Sequence, residues 1–302
     1  MSKIHFRGIM PALITPLTAD GKVNTAAVKA LMDDNYAKGV TGFYVTGGTG
    51  EGPLLSAAQR KTMVEAAIEA NAGRGKIIVH TGSINADEAM DLTVHADHAG
   101  ADGISSVPPS FYFRYTLEET VDYYKKLASN TSRPVIVYAN PQSATGVDVN
   151  AVLEQLLPID NICGVKDTRA NYYLLWQLKQ LAGGNINVIN GPDESLLCGL
   201  MMGADGGIGS TYGLMPEKYV KLYNHFCAGE LEEARAMQSQ INKIISVLLG
   251  YSKPTVITPV KEALTLCGFE AGDALYPASP FTAETRAMFK KDMEKAGFVF
   301  PA

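Results

Sequence analysis

Eight short β-branched or apolar runs alternate along this chain with longer segments of helical spacing, and that alternation restricts the fold more than any other feature. The runs are "IMPALITPL" (Ile9 to Leu17), "GFYVTG", "KIIVHTG", "GISSV", "RPVIVYA", "NICGVK", "INVIN" and "DGGIG". Between them, "NTAAVKALMDDNYAKG" and "SAAQRKTMVEAAIEANAG" carry apolar residues at helical spacing and end in the glycine that closes a helix. Eight strands alternating with helices is the count that closes a (β/α)8 barrel. An open doubly wound sheet is the other arrangement, but it needs a topological switch and usually has fewer strands. From about Leu214 onward the chain reads as helical throughout, which exceeds what one closing helix requires. The expected fold is therefore α/β, a TIM barrel with a C-terminal helical extension. Residues 1–214 form its core, and residues 215–302 form the last barrel helix and the extension, within one structural unit.

Composition narrows the partners. The 302 residues are 46% hydrophobic and 19% charged, enough to bury a large core. A formal charge of −5 disfavours a nucleic-acid partner, whose footprint is usually basic. No stretch approaches the ~20 apolar residues of a membrane span, and the N-terminal "MSKIHFRGIMPALITPL" runs straight into the first strand, unlike a signal peptide. Cys163, Cys198, Cys227 and Cys267 are scattered without pairing, which suggests reduced core thiols and a cytoplasmic location.

In a barrel the C-terminal strand ends form the active face. Strand two is followed there by "TGGTGEG" (Thr46 to Gly52), strand four by "VPPSFYF", strand seven by "NGPDE" and strand eight by "GIGSTYG"; strand five ends at Tyr138 and strand six at Lys166. Desolvation at such a mouth disfavours an ammonium, and a neutral lysine amine attacks ketones to form Schiff bases. The plainer reading has Lys166 pairing with an acidic neighbour on the rim. "GGTGE" either frees backbone N–H groups to cradle an anion, with the Thr49 hydroxyl adding a donor, or makes an ordinary tight turn. Tyr138 reads as a general acid/base or as a core tyrosine with a satisfied hydroxyl. "GADGGIGS" lies where many barrels hold phosphate.

Other candidates carry less. His95 and His98, three apart, fall on a helix of the outer layer, away from the active face, and no other cluster offers a complete metal set. "DYYKK" and "NYYLLW" read as helix faces packed on the sheet. The chain has no GxSxG elbow, P-loop or Rossmann fingerprint.

Taken together, "GGTGE", "FYF", "VYANP…TG", "GVKDT" and "GADGGIGSTYG" resemble, in order and spacing, the N-acetylneuraminate lyase and dihydrodipicolinate synthase family of Schiff-base, pyruvate-using barrels. The resemblance spans essentially the whole chain. It implies Lys166 as the imine-forming lysine, Tyr138 as the proton shuttle and the Gly48–Thr49 backbone as the pyruvate carboxylate cradle. It implies that Tyr112 enters a neighbouring subunit's site, hence at least a dimer, with a homotetramer (a dimer of dimers) as the family's common assembly. Within the family, "NGPDE" resembles the lyase branch, which would put Gly191, Asp193 and Glu194 on sugar hydroxyls, with Ser210 and Thr168 beside them. The synthase branch carries an arginine before the "TG" to hold a second carboxylate; here that place is Ala144. Gly48 stands where the family has Ser or Thr, and "YANPQSATG" is one residue longer than the familiar form. The resemblance thus implies a cofactor-free, metal-independent lyase that cleaves N-acetylneuraminate to pyruvate and N-acetylmannosamine. The alternatives are a 2-keto-3-deoxy sugar acid aldolase, a dihydrodipicolinate synthase, or a barrel that binds 2-oxo acids without turnover.

Overall fold

The computed structural model describes residues 6–109, 113–141, 146–252 and 255–301. Eight strands form one parallel sheet: β1 (Gly8–Pro11), β2 (Gly42–Val45), β3 (Lys76–His80), β4 (Gly103–Ser106), β5 (Val135–Ala139), β6 (Ile162–Asp167), β7 (Asn187–Asn190) and β8 (Gly206–Gly209). From β2 to β8 each strand pairs with the next in sequence, and β1 pairs with β8. The remaining seam is joined by Thr41 N donating to Ile9 O at 2.9 Å, by Leu13 N donating to Tyr44 O at 2.9 Å, and by a parallel bridge between Ala12 and Tyr44. The sheet thereby closes on itself.

One helix follows each strand: α1 (Thr25–Ala37), α2 (Ala57–Asn71), α3 (Ala86–Ala99), α4 (Leu117–Ser129), α5 (Val149–Leu156), α6 (Tyr172–Gln180), α7 (Leu196–Met201) and α8 (Pro216–Cys227). Three more, α9 (Leu231–Gly250), α10 (Ile257–Leu266) and α11 (Ala283–Lys295), make the extension. The fold is a TIM barrel with a C-terminal helical extension. Local chemistry starts several of these helices: Ser56 with Gln59 and Thr116 with Glu119 form reciprocal capping boxes, and Asn24 accepts from Ala27 N.

Strand side chains alternate between two layers. Met10, Tyr44, Ile78, Ile136, Ile189 and Ile208 fill the barrel interior, whereas Ile9, Phe43, Val45, Ile77, Val79, Val135 and Val188 pack outward against the helices. The first strand is shorter than its apolar run, stopping at Pro11 rather than continuing toward Leu17. Ala12 and Leu13 still bond to neighbouring strands, but the regular ladder ends at Pro11, and Pro16 has no N–H to resume it.

Only Cys163 is a buried thiol; Cys267 is partly buried, and Cys198 and Cys227 are exposed on α7 and α8. His95 lies in the outer helical layer, where its Nε2 is 2.8 Å from Glu65 of α2. Among the described residues no helix is long and apolar enough to cross a membrane.

Candidate active site

Lys166 reaches the barrel interior because β6 breaks its own alternation. Val135 pairs with Ile162 while Ile136 pairs with Gly164, leaving Cys163 as an extra residue. Cys163 points inward and Val165 outward, so Lys166 points inward again. Strict alternation from Cys163 would have sent the lysine to the helix side; the bulge re-aims it. Gly164 permits the kink, since a Cβ there would overlap the Asn187 carbonyl oxygen.

Lys166 is 6% exposed and pairs across strands with Tyr138. Its Nζ stands 4.0 Å from the Tyr138 ring centroid and 4.7 Å from that of Tyr44. Among the described residues no carboxylate lies within ion-pairing distance of it. The adjacent carboxylate, Asp167, points away and grips Arg169 through two bonds of 2.9 and 2.8 Å. The reading in which Lys166 merely pairs on the rim is therefore not what the structure has.

The tyrosines around the amine differ in their titration. Burial raises the Tyr138 phenol's pKa, but the Lys166 charge and the polar groups of Thr168, Lys166 and Asn140 outweigh it, leaving the phenol below its ordinary value. Tyr44, fully buried and donating to Ser105 Oγ at 3.1 Å, is pushed well above it by burial and by the neighbouring Tyr138. His80 meets both rings, its centroid 5.9 Å from Tyr138 and 6.1 Å from Tyr44. Burial, with the Arg60 and Lys166 charges, pulls the imidazole down to about 3. The Thr168 hydroxyl stands near enough to the phenol to favour its ionisation. It forms no well-aligned hydrogen bond among the described residues.

The loop after β2 makes one wall. Thr46 and Glu51 both adopt left-handed backbone, and Glu51 N donates to Gly48 O at 2.9 Å and Gly52 N to Gly47 O at 3.0 Å. The N–H groups of Gly48 and Thr49 find no backbone acceptor among the described residues, which is the state an anion cradle requires. Thr49 Oγ1 shares a 2.7 Å hydrogen bond with Ser210 Oγ. Glu51 anchors the loop from beneath: its carboxylate meets Lys261 Nζ at 2.6 Å and accepts from Leu275 N at 2.6 Å.

The opposite walls enclose a cavity of about 470 Å³. One is polar, with Thr168, Gly191, Asp193, Glu194, Ser210 and Thr211; the other is largely apolar, with Ile245 and Leu249 of α9 and Val256 and Ile257 at the start of α10. Lys166 is the single cationic side chain among the described lining residues. Asp193 accepts from Ser210 N at 3.1 Å and from Thr211 N and Oγ1, both at 2.6 Å. Burial raises its pKa, and those bonds offset the rise only in part. Glu194 is exposed to the cavity. The extension holds this wall in place, since Gln238 donates to Asp193 O and Asn242 to Glu194 O.

The structure thus brings Lys166, Tyr138, Gly48, Thr49, Thr168, Gly191, Asp193, Glu194 and Ser210 to one cavity. Both Asp193 oxygens already brace the Ser210–Thr211 turn, so Glu194 is the freer of the two carboxylates. Tyr112 and Ala144 lie outside the described residues. The sequence reading missed Tyr44, His80 and the apolar wall. Tyr44 and His80 carry a signal, since strand alternation turns both inward near strand ends; Ile245 to Ile257 carry none, being ordinary helix residues far along the chain.

A family model described as the Dihydrodipicolinate synthetase family matches residues 5–296. An N-acetylneuraminate lyase of Rhizobium meliloti (strain 1021) is 35% identical over 274 residues, covering 91% of this chain and 90% of that protein. The solved N-acetylneuraminate lyase of Proteus mirabilis superposes with a TM-score of 0.92 at 28% identity, covering 98% of this chain and 100% of that one. YagE, a prophage protein from E. coli K12 solved in complex with pyruvate, gives a TM-score of 0.89 at 30% identity over 97% of this chain and 99% of its own. A parallel eight-stranded barrel with a lysine aimed inward beside a tyrosine, matched along almost its whole length, belongs to the dihydrodipicolinate synthetase family of class I, pyruvate-dependent aldolases and lyases.

Proposed function

We propose that the protein is a cytoplasmic, cofactor-free lyase that cleaves N-acetylneuraminate to pyruvate and N-acetylmannosamine. The observation that carries this reading is the environment of Lys166, buried against two phenol rings in a cavity whose far walls are one polar and one apolar. The ε-amine attacks C2 of the open-chain 2-oxo acid and water leaves, giving an imine. The substrate carboxylate lies on the Gly48 and Thr49 N–H groups. Tyr138, whose lowered pKa suits a base, takes the C4 hydroxyl proton. The C3–C4 bond then breaks, the electrons pass into the imine to form an enamine, and the aldehyde departs. Protonation at C3 and hydrolysis return pyruvate and the free lysine.

Specificity follows from the walls. Glu194, Thr168 and Ser210 suit a chain of hydroxyls, with Gly191 and Asp193 shaping the same wall. Ile245, Leu249 and Val256 give an acyl methyl group a dry contact. A second substrate carboxylate would face Asp193 and Glu194 with, among the described lining residues, no cation beyond Lys166 to neutralise it, which disfavours dicarboxylate products. The family resemblance supports a homotetramer as the working assembly, with Tyr112 the residue it implies for a neighbouring subunit's site.

Pyruvate with borohydride should leave a reduced adduct on Lys166, located by peptide mass spectrometry. A panel of N-acetylneuraminate, a 2-keto-3-deoxy sugar acid, and pyruvate with aspartate semialdehyde should show fastest turnover of the first. An unmodified Lys166 would sink the mechanism, and preference for another panel member would sink the substrate.

A further inference from the structure

The loop after β2 contains several glycines, and most have a steric reason to be there. A Cβ on Gly47 would lie 2.5 Å from the Tyr44 ring, one on Gly50 would lie 2.9 Å from Leu13 O, and one on Gly52 would overlap Thr46 O. Gly48 has no such reason. Its φ lies outside the left-handed region, and a Cβ there would meet nothing within 4 Å. A larger residue would also be easier to order, because glycine loses the most backbone freedom on folding. What glycine supplies at this position is open space, and Gly48 lines the cavity shared by Lys166, Tyr138 and Tyr44. The cavity floor beside these residues is apolar, formed by Ala12 and Ile208 from the barrel interior.

We infer that this space receives a carbon substituent at C3 of the 2-oxo acid, so that Lys166 takes 2-oxobutanoate as well as pyruvate, with Gly48 as the residue that sets the limit. The inference rests on the imine-forming role of Lys166 proposed above. Each step balances with the extra methyl group present. The amine adds to C2 and water leaves; a base removes one C3 proton to give the enamine. C3 then bonds to an aldehyde carbon, whose oxygen takes up a proton. 2-Oxobutanoate carries two hydrogens on C3, so enamine formation leaves the substituent untouched. An apolar group against Ala12 and Ile208 needs no hydrogen-bond partner, whereas a polar one would.

The test uses the full-length protein with borohydride and either pyruvate or 2-oxobutanoate, reading the Lys166 peptide by mass. Both acids should leave adducts, the second heavier by one methylene, with half-saturating concentrations within about tenfold of each other. Gly48→Val should lower the ratio of 2-oxobutanoate adduct to pyruvate adduct by about tenfold or more, and Gly48→Ala by less. The alanine variant serves if the valine variant fails to fold. Trapping of pyruvate without 2-oxobutanoate would overturn the inference, as would an unchanged ratio in the variants. Absence of any pyruvate adduct would instead overturn the Lys166 reading, and this inference with it.

Discussion

Lys166 and Lys261 are both buried, 6% and 1% exposed, yet they occupy opposite kinds of surroundings. Lys261, on α10, meets the Glu51 carboxylate at 2.6 Å and donates to Asp273 O at 2.9 Å. Burial draws its pKa below the ordinary value, and Glu51 restrains that fall. Lys166 rests on the faces of two phenol rings with no carboxylate beside it among the described residues. An amine whose protons are committed to a carboxylate and a carbonyl is a fastener. An amine held against phenol rings rather than by a carboxylate keeps its nitrogen open to a ketone. Burial alone therefore does not make a lysine reactive; the partner decides.

Four variants break or sharpen this contrast. Lys166→Met should lower turnover by about four to six orders of magnitude, as loss of a nucleophile does, and should abolish borohydride trapping at that peptide. Tyr138→Phe should still form the adduct but lose roughly 10²–10⁴-fold in cleavage, measured by single-turnover release of the aldehyde. Lys261→Met leaves Glu51 buried without its counter-charge, which should remove about 3–5 kcal/mol of stability in urea unfolding. The double variant Glu51→Gln/Lys261→Met should recover much of that loss, and trapping per folded molecule in Lys261→Met should persist. Loss of trapping there would erase the distinction between the two amines.

The smallest effect concerns His80. Its folded pKa of about 3 lies below the ordinary value of 6.5. Between those values the unfolded chain binds a proton that the folded protein refuses. Stability therefore rises with pH across that window and falls as the pH drops from about 6.5 toward 3, by up to ~1.4 kcal/mol per pH unit from this group. His80→Gln should flatten the unfolding free energy against pH in that range by a comparable slope. An unchanged slope would mean that the imidazole next to Lys166 is not kept neutral.

The barrel was legible because its eight strands are buried on both faces and read as apolar runs, while the helices between them keep their own period. Lys166 and Tyr138 were legible as polar groups where such runs end. Their meeting was less so. Counting by twos from either Ile162 or Cys163 puts Lys166 on the helix side, and only the extra residue in the ladder turns it inward. The fastening of Glu51 to Lys261 spans most of the chain and leaves no local pattern, since both residues are common surface types. The apolar wall of Ile245, Leu249 and Val256 is hidden for a related reason: an apolar helix stripe has the same appearance whether it meets a core or a substrate.

The Glu51 carboxylate also sets an order of events during synthesis. All eight strands leave the ribosome before Lys261 and Leu275, the latter lying 224 positions after the glutamate it serves. Until that last portion emerges, Glu51 lacks both partners that hold it beneath the anion loop. Truncation near the carboxyl end should accordingly disable ligand capture before it disturbs the strands.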